Sequence, residues 1–347
     1  MTFAVVRVAC LWALLLSFCL VGCSNPAPAA AAAPPAVSGV VRQAVSEPVR
    51  LWQDSAIFTL VGALIGSARR RVLVEMYELG RPDVVRALGA AAARGVAVRV
   101  ITDPTVNASR RSAARLDSLR VAERVYPIDD ALHQIDHVKL LIVDDQAVVG
   151  GMNWGAHSDR NHDYVLETRL GIEIGRLVSI FEQDWSLAGG RPSPLSVLPG
   201  EIGQTAPWEE IRSMLEAALL HARQRALAEI YTLTDPVVID ELVSAHRRGV
   251  DVRVVLDPNQ AYNLDAYAEL VAGGVQARWY PVPRGALLHA KIGLFDGELV
   301  LGSANWTRSG LDVNHELDIE TSDPGAVSDY ATRFEADWTR SNAAAAV

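Results

Sequence analysis

Short apolar runs alternate with amphipathic stretches along most of the chain. Val72–Tyr77 and Ala226–Tyr231 are mainly apolar, with the length and composition of buried strands. After the second run, Asp235 and Pro236 supply an N-cap and a first-turn proline. Val238, Leu242 and Ala245 then fall on one helical face, and Gly249 ends that helix as Gly95 ends its counterpart. Val96–Ile101 and Val250–Leu256 follow as further buried strands. Strand, helix and strand in this order predict parallel pairing through a crossover. Later, Ile292–Phe295 and Glu298–Leu301 flank Asp296-Gly297, a strong signal for a tight hairpin.

The pattern is written twice. Arg71–Tyr77 matches Arg225–Tyr231, and Arg94–Val100 through Asp103-Pro104 matches Arg248–Val254 through Asp257-Pro258. Tyr126-Pro127 matches Tyr280-Pro281, and Phe181-Glu182-Gln183-Asp184-Trp185 matches Phe334-Glu335-Ala336-Asp337-Trp338. Block order is kept and the spacing drifts by only two residues, the mark of a duplication. The expected architecture is α/β, with two tandem homologous repeats over 45–190 and 205–340 and a linker over 191–204. Each repeat is expected to be a mixed sheet flanked by helices, and the two to pack about a pseudo-two-fold axis.

The N-terminus differs in kind. Residues 1–22 carry Arg7 and then an apolar run, Leu11–Leu20, which predicts an export signal. The run closes on Leu20-Val21-Gly22-Cys23, which resembles the bacterial lipoprotein signal and marks Cys23 for lipidation. Residues 23–44 are rich in alanine and proline and read as a tether. The expected location is the periplasmic or extracellular face of a bacterial membrane, with attachment through Cys23. All three cysteines lie in the leader, so no disulfide framework is expected. The formal net charge is −9, which argues against nonspecific nucleic-acid binding, since that is driven by cation–phosphate contacts.

Of the 32 basic residues only Lys139 and Lys291 are lysine. Each stands two residues after a histidine and five before an aspartate, in His137-Val138-Lys139 through Asp144 and His289-Ala290-Lys291 through Asp296. Lysine is a compact point charge where arginine is a wide planar fork, so two places require a compact ammonium beside an imidazole. On a strand, alternate residues share a face, so each histidine and its lysine point together. Asp144 and Asp296 complete the motif and are grouped with the catalytic set, although their opposite parity suits them to support. A glycine-rich turn with an asparagine follows in each repeat, Gly150-Gly151-Met152-Asn153 and Gly302-Ser303-Ala304-Asn305. Asn161-His162-Asp163 and Asn314-His315-Glu316 come next.

On these motifs the chain resembles the phospholipase D superfamily, whose signature is HxKxxxxD followed by GSxN, and the resemblance covers roughly residues 50–340. It departs from that pattern at Gly151, where the second repeat has Ser303, and in a hairpin one residue shorter than expected. The resemblance implies a phosphodiesterase in which one histidine attacks phosphorus and the other protonates the leaving alcohol. His137 is suggested as the nucleophile and His289 as the acid; the residues alone do not rank them. Lys139, Lys291, Asn153 and Asn305 would hold the non-bridging oxygens, and Asp163 and Glu316 would bond the far imidazole nitrogens. No metal or cofactor is implied, and both half-sites in one chain imply a monomer.

Glu75 and Glu229 occupy equivalent strand positions and suit either the site or buried support. His162 and His315 are expected at exposed turns, and the two tryptophan-ending blocks as helix faces packed into the core. The leading substrate is a phospholipid headgroup ester, with hydrolysis or transfer to another alcohol. The alternatives are an exported nuclease and a noncatalytic phosphate-binding module.

Overall fold

The computed structural model describes residues 48–191, 201–205 and 209–343. The leader, Cys23, the tether and most of the linker lie outside these residues. The first repeat runs β1 (Val49–Gln53), α1 (Ala56–Ser67), β2 (Arg71–Met76), α2 (Pro82–Ala93), β3 (Ala97–Thr102), α3 (Asn107–Ser118) and β4 (Ala122–Val125). It continues with β5 (Lys139–Val143), β6 (Gln146–Gly150), β7 (Tyr164–Thr168) and α4 (Gly171–Ala188). The second runs β8 (Ile202–Gln204), α5 (Glu210–His221), β9 (Arg225–Ile230), α6 (Pro236–Arg247), β10 (Asp251–Leu256), α7 (Asn263–Ala272) and β11 (Gln276–Trp279). It closes with β12 (Lys291–Phe295), β13 (Glu298–Gly302), β14 (Leu317–Thr321) and α8 (Pro324–Arg340).

Each repeat forms one seven-stranded mixed sheet. The orders β1-β7-β6-β5-β2-β3-β4 and β8-β14-β13-β12-β9-β10-β11 match strand for strand. The crossover pairs β2·β3 and β9·β10 are parallel, as expected, and the hairpins β5·β6 and β12·β13 are antiparallel. Gly95 and Gly249 close α2 and α6 at φ +89° and +91°, a region that costs glycine little. Ile202–Gln204, assigned to the linker on sequence, is an edge strand of the second sheet, so that sheet begins inside the linker.

Three apolar layers hold the fold. The central one draws on both repeats, with Leu73, Ile142, Leu166 and Phe181 meeting Leu227, Leu294, Ile319 and Phe334. One outer core belongs to each repeat, beneath α1–α3 and α5–α7. Strand β6 touches β14, and β13 touches β7. These reciprocal contacts are those of a pseudo-two-fold.

Several expectations are corrected. Asp144 and Asp296 sit in the hairpin turns at φ +51° and +54° and do not enter the site. The Asp144 carboxylate accepts from the backbone N–H of Arg69, Arg70 and Arg71 at 2.8–3.0 Å, and Asp296 from Arg223, Gln224 and Arg225 at 2.8–2.9 Å. Partial burial opposes ionisation, but these donors outweigh it and hold both carboxyls below the usual range. They anchor each hairpin to the start of β2 or β9.

His162 and His315 are buried, not exposed. Phe181 and Phe334 enter the core, but Trp185 is only half-buried, against the guanidinium groups of Arg99 and Arg124. Trp338 lies against Arg253 and Arg278.

Asp144→Ala and Asp296→Ala are expected to cost about 1–3 kcal/mol each in urea denaturation, through lost hydrogen bonds to an ionised group. Turnover per folded molecule should stay within about twofold, because neither carboxylate reaches the site.

Candidate active site

The site forms where β5 and β12 begin, beside the ends of β2 and β9. The register pairs Lys139 with Met76 and Lys291 with Ile230. The next residues, Tyr77 and Tyr231, donate backbone N–H bonds to the carbonyls of Val138 and Ala290. Each His-x-Lys segment is then bonded to the opposite repeat. His137 N–H donates to the His315 carbonyl, and His289 N–H to the His162 carbonyl, both at 2.8 Å.

The side chains make the same exchange. His137 Nδ1 lies 2.8 Å from Glu316 Oε2, and His289 Nδ1 lies 2.7 Å from Asp163 Oδ2. A carboxylate at Nδ1 fixes the proton there and leaves Nε2 for chemistry. Lys139 and Lys291 donate to the carbonyls of their own histidines. Lys291 Nζ also lies 3.0 Å from His289 Nδ1 and 3.1 Å from Nε2. The ammonium groups lie 5.1 and 4.9 Å from the ring centroids of Tyr77 and Tyr231, within cation–π range. These tyrosines were missed as site residues; their signal is that both repeated strand blocks end on tyrosine at the same position.

All four expected reacting groups are thus together: His137, Lys139, His289 and Lys291 are each at most 5% exposed. Asn153 and Asn305 are half-buried, and their Oδ1 atoms have no partner among the described residues. Ser303 is a support: its hydroxyl donates to Glu316 at 2.6 Å and accepts from Leu317 N–H. Asn314 adds a second donor to Glu316 at 3.0 Å. The departure at Gly151 has a steric cause. A Cβ there would sit 2.3 Å from Asp163 Oδ1. The shorter aspartate requires the glycine, while the longer glutamate of the second repeat goes with serine.

A second set of exchanged pairs closes the seam. His162 Nε2 lies 3.1 Å from Asp337 and 3.8 Å from Glu229, and its Nδ1 is 2.8 Å from Asp54. His315 Nε2 lies 3.2 Å from Asp184 and 3.4 Å from Glu75. Burial disfavours the charged imidazolium, but the acids outweigh it and raise both histidines well above their ordinary range. Glu75 and Glu229 are therefore supports. The two triads Glu75–Asp184–His315 and His162–Glu229–Asp337 also have the donor types and mutual distances for a metal ion.

Electrostatically these candidate groups are poised away from charge. Burial, then Lys139 and Lys291, hold His137 well below its ordinary value, and burial, then Lys291, brings His289 to about 4. Burial brings Lys139 to about 7 and Lys291 to about 8, and raises Glu316 to about 7 against the pull of both lysines. Full charge on both ammonium groups beside two imidazoles would need an anion between them.

The family model described as "Cardiolipin synthase, PLD-like domain" matches residues 61–185 and 215–338, once in each repeat. The chain belongs to this family. Among its relatives, the mitochondrial cardiolipin hydrolase of Chlamydomonas reinhardtii is 30% identical over 114 residues, covering 31% of this chain and 49% of that one. The probable cardiolipin synthase YwiE of Bacillus subtilis is 26% identical over 289 residues, covering 72% and 57%. The chain thus spans about half the length of these two relatives. Of solved structures, phosphatidylserine synthase from Haemophilus influenzae aligns with TM-score 0.66 at 12% identity, over 85% of this chain and 87% of that one. Polyphosphate kinase from Porphyromonas gingivalis aligns with TM-score 0.62 at 17% identity, over 89% and 51%. These structural likenesses establish the shared fold, and the PLD-like match falls on both His-x-Lys segments.

Two predictions follow from this geometry. Gly151→Ser should lower kcat/KM by about tenfold or more by displacing Asp163 from His289. Gly151→Ser with Asp163→Glu, which copies the second repeat, should recover most of that loss, and steady-state kinetics on both variants checks it. The second concerns pH. A group lowered to about 7 or 8 is charged below that value and loses its charge above it, so kcat/KM for a phosphodiester, already declining above about 4 where His289 must enter protonated, should fall more steeply as pH rises through 7 to 8. The corresponding limb in kcat should lie at higher pH, because bound phosphate favours both ammonium forms.

Proposed function

We propose that this chain is a phospholipase D-type phosphodiesterase that cleaves a phospholipid headgroup ester and can pass the phosphatidyl group to a second alcohol. The observation that carries this reading is the carboxylate exchange, which builds a single site with two oriented imidazoles and two ammonium groups. His137 Nε2 attacks phosphorus, forming an N–P bond as the P–O bond to the leaving alcohol breaks. His289 gives that oxygen a proton. It then takes a proton from water or an acceptor alcohol, whose oxygen displaces His137. Lys139, Lys291, Asn153 and Asn305 surround the non-bridging oxygens, where negative charge must be held. The match to the PLD-like family in both repeats supports the reading, as do cardiolipin-handling relatives.

Export and lipid attachment through Cys23 belong to the same proposal, since an anchor would hold the enzyme beside its substrate. Cys23→Ala should abolish fatty-acid labelling and release the protein from membranes. The second reading, an exported nuclease, shares the same phosphate chemistry.

Incubation with phosphatidylcholine, phosphatidylglycerol, cardiolipin and single-stranded DNA, with EDTA present throughout, separates these readings. Release of headgroup from lipid is expected, and DNA cleavage without lipid turnover would sink the phospholipase reading. Binding without turnover of any of them would favour the phosphate-binding module. His137→Ala and His289→Ala should each lower kcat by about a thousandfold or more, because neither repeat holds a complete site. Lys139→Arg and Lys291→Arg should each cost about a hundredfold, since a fork cannot replace a point charge in this space. In His289→Asn, labelled substrate should leave a phosphoryl adduct that maps to His137.

A further inference from the structure

The two repeats are equivalent in backbone, but one flank differs in sign. Ser109 at the start of α3 accepts from Leu79 N–H at 3.0 Å and donates to the Tyr77 carbonyl at 2.7 Å. Asn263 makes the same two contacts with Leu233 and Tyr231, at 2.9 Å each, and so fixes the alignment of α3 with α7. The proline that opens α2, Pro82, matches Pro236 at the same spacing. In that alignment Arg86, Arg111 and Arg115 correspond to Asp240, Asp265 and Glu269. All six are exposed. The fold therefore imposes neither charge at these positions.

The three arginines line one cleft of about 360 Å³ between α2 and α3, with Ser112 buried in its wall. Their guanidinium groups have no hydrogen bond or ion pair among the described residues, whereas Arg81, Arg99, Arg212 and Arg253 are each paired. Three unpaired forks around one concavity suit the oxygens of a phosphate. The cleft also lies beside the catalytic seam. Gly80 in its wall neighbours the next segment: a Cβ there would be in van der Waals contact with it, 3.5 Å from Gly155 Cα and 3.6 Å from Ala156 N. Gly155 and Ala156 line the next cleft, of about 630 Å³, together with Asn161 and Leu287. Leu287 accepts the N–H of His162, on the same segment as Asp163.

We propose that this arginine cleft binds the phosphate of an anionic phospholipid headgroup in a bilayer and seats the catalytic seam against the membrane. The inference deepens the phospholipid reading of the active site and rests on it for its setting, but it is tested by binding alone. A chain of net charge −9 is repelled by an anionic surface unless it turns a local basic face toward it. A planar membrane against the first repeat's flank meets Arg86, Arg111 and Arg115 around the cleft, with Asp83 already paired to Arg81 and Asp117 the other exposed acid of the two helices. A long polyanion crossing both repeats would also meet Asp240, Asp265 and Glu269, so a bilayer is favoured over nucleic acid.

The test uses the full chain and the triple variant Arg86→Asp, Arg111→Asp, Arg115→Glu, which installs the residues the second repeat already carries. Vesicles of phosphatidylcholine alone and with one third phosphatidylglycerol are the probes. The native chain should bind the anionic vesicles more tightly, and the variant should lose on the order of a hundredfold of that affinity. Its melting temperature and its turnover of bis-p-nitrophenyl phosphate, a small soluble diester, should stay native. Both chains share one N-terminus, so an anchor contributes equally to each. Undiminished preference of the variant for anionic vesicles overturns the proposal. So does a site that takes inorganic phosphate with no preference for anionic vesicles, or a variant that loses single-stranded DNA binding in place of vesicle binding. Absence of lipid turnover in either chain would instead fail the catalytic reading and leave the binding result to be judged by itself.

Discussion

The structure depends on an exchange of acids across the pseudo-two-fold. Each imidazole of the His-x-Lys segments is held by a carboxylate from the other repeat, His137 by Glu316 and His289 by Asp163. Two ammonium groups and two imidazoles buried together carry a heavy desolvation cost, and paired carboxylates offset part of it. Because each repeat's carboxylate serves the opposite histidine, neither half could bury its own charges alone. The duplication has made the halves mutually obligatory at the point where the chemistry lies.

The same exchange recurs one shell out. His162 of the first repeat meets Glu229 and Asp337 of the second, and His315 of the second meets Glu75 and Asp184 of the first. Their backbone carbonyls receive the N–H groups of His289 and His137. A residue that orients a catalytic segment through its backbone thus also ties the sheets together through its side chain. The acids come from near the ends of β2 and β9 and from α4 and α8, elements of the central apolar layer. Movement of either sheet would therefore be felt at the imidazoles.

Much of this was legible in sequence because it rests on local spacing. Strand alternation placed each lysine on its histidine's face, and the opposite parity of Asp144 and Asp296 already told against a reacting role. The direction of the acid exchange was not legible, since a repeated motif does not say which copy completes which site. His162 and His315 were misjudged for a related reason. Neighbouring polar residues read as an exposed turn, and only the opposite repeat, packed over each, makes that turn interior. Ile202–Gln204 was lost in the linker because three residues are too few to show alternation. The coupling of Gly151 to Asp163 and of Ser303 to Glu316 needed the distances, since the sequence shows two substitutions and not that each one permits the other.

The opposed charges also explain the lysines. Each Nζ is confined between the carbonyl of its own histidine and the face of a tyrosine, and Tyr77 and Tyr231 offer π density where a third oxygen would otherwise be needed. A guanidinium is wider than that space and does not give up its proton, whereas burial brings these two ammoniums to about 7 and 8. The seam thus avoids two fixed positive charges facing two imidazoles. A phosphodiester monoanion entering it supplies the missing charge. It would favour both ammonium forms and the imidazolium of His289, the form that the proposed proton donor requires. On the proposed reading, binding and activation would be one electrostatic event, with the protonation state that the chemistry needs reached when the substrate is in place.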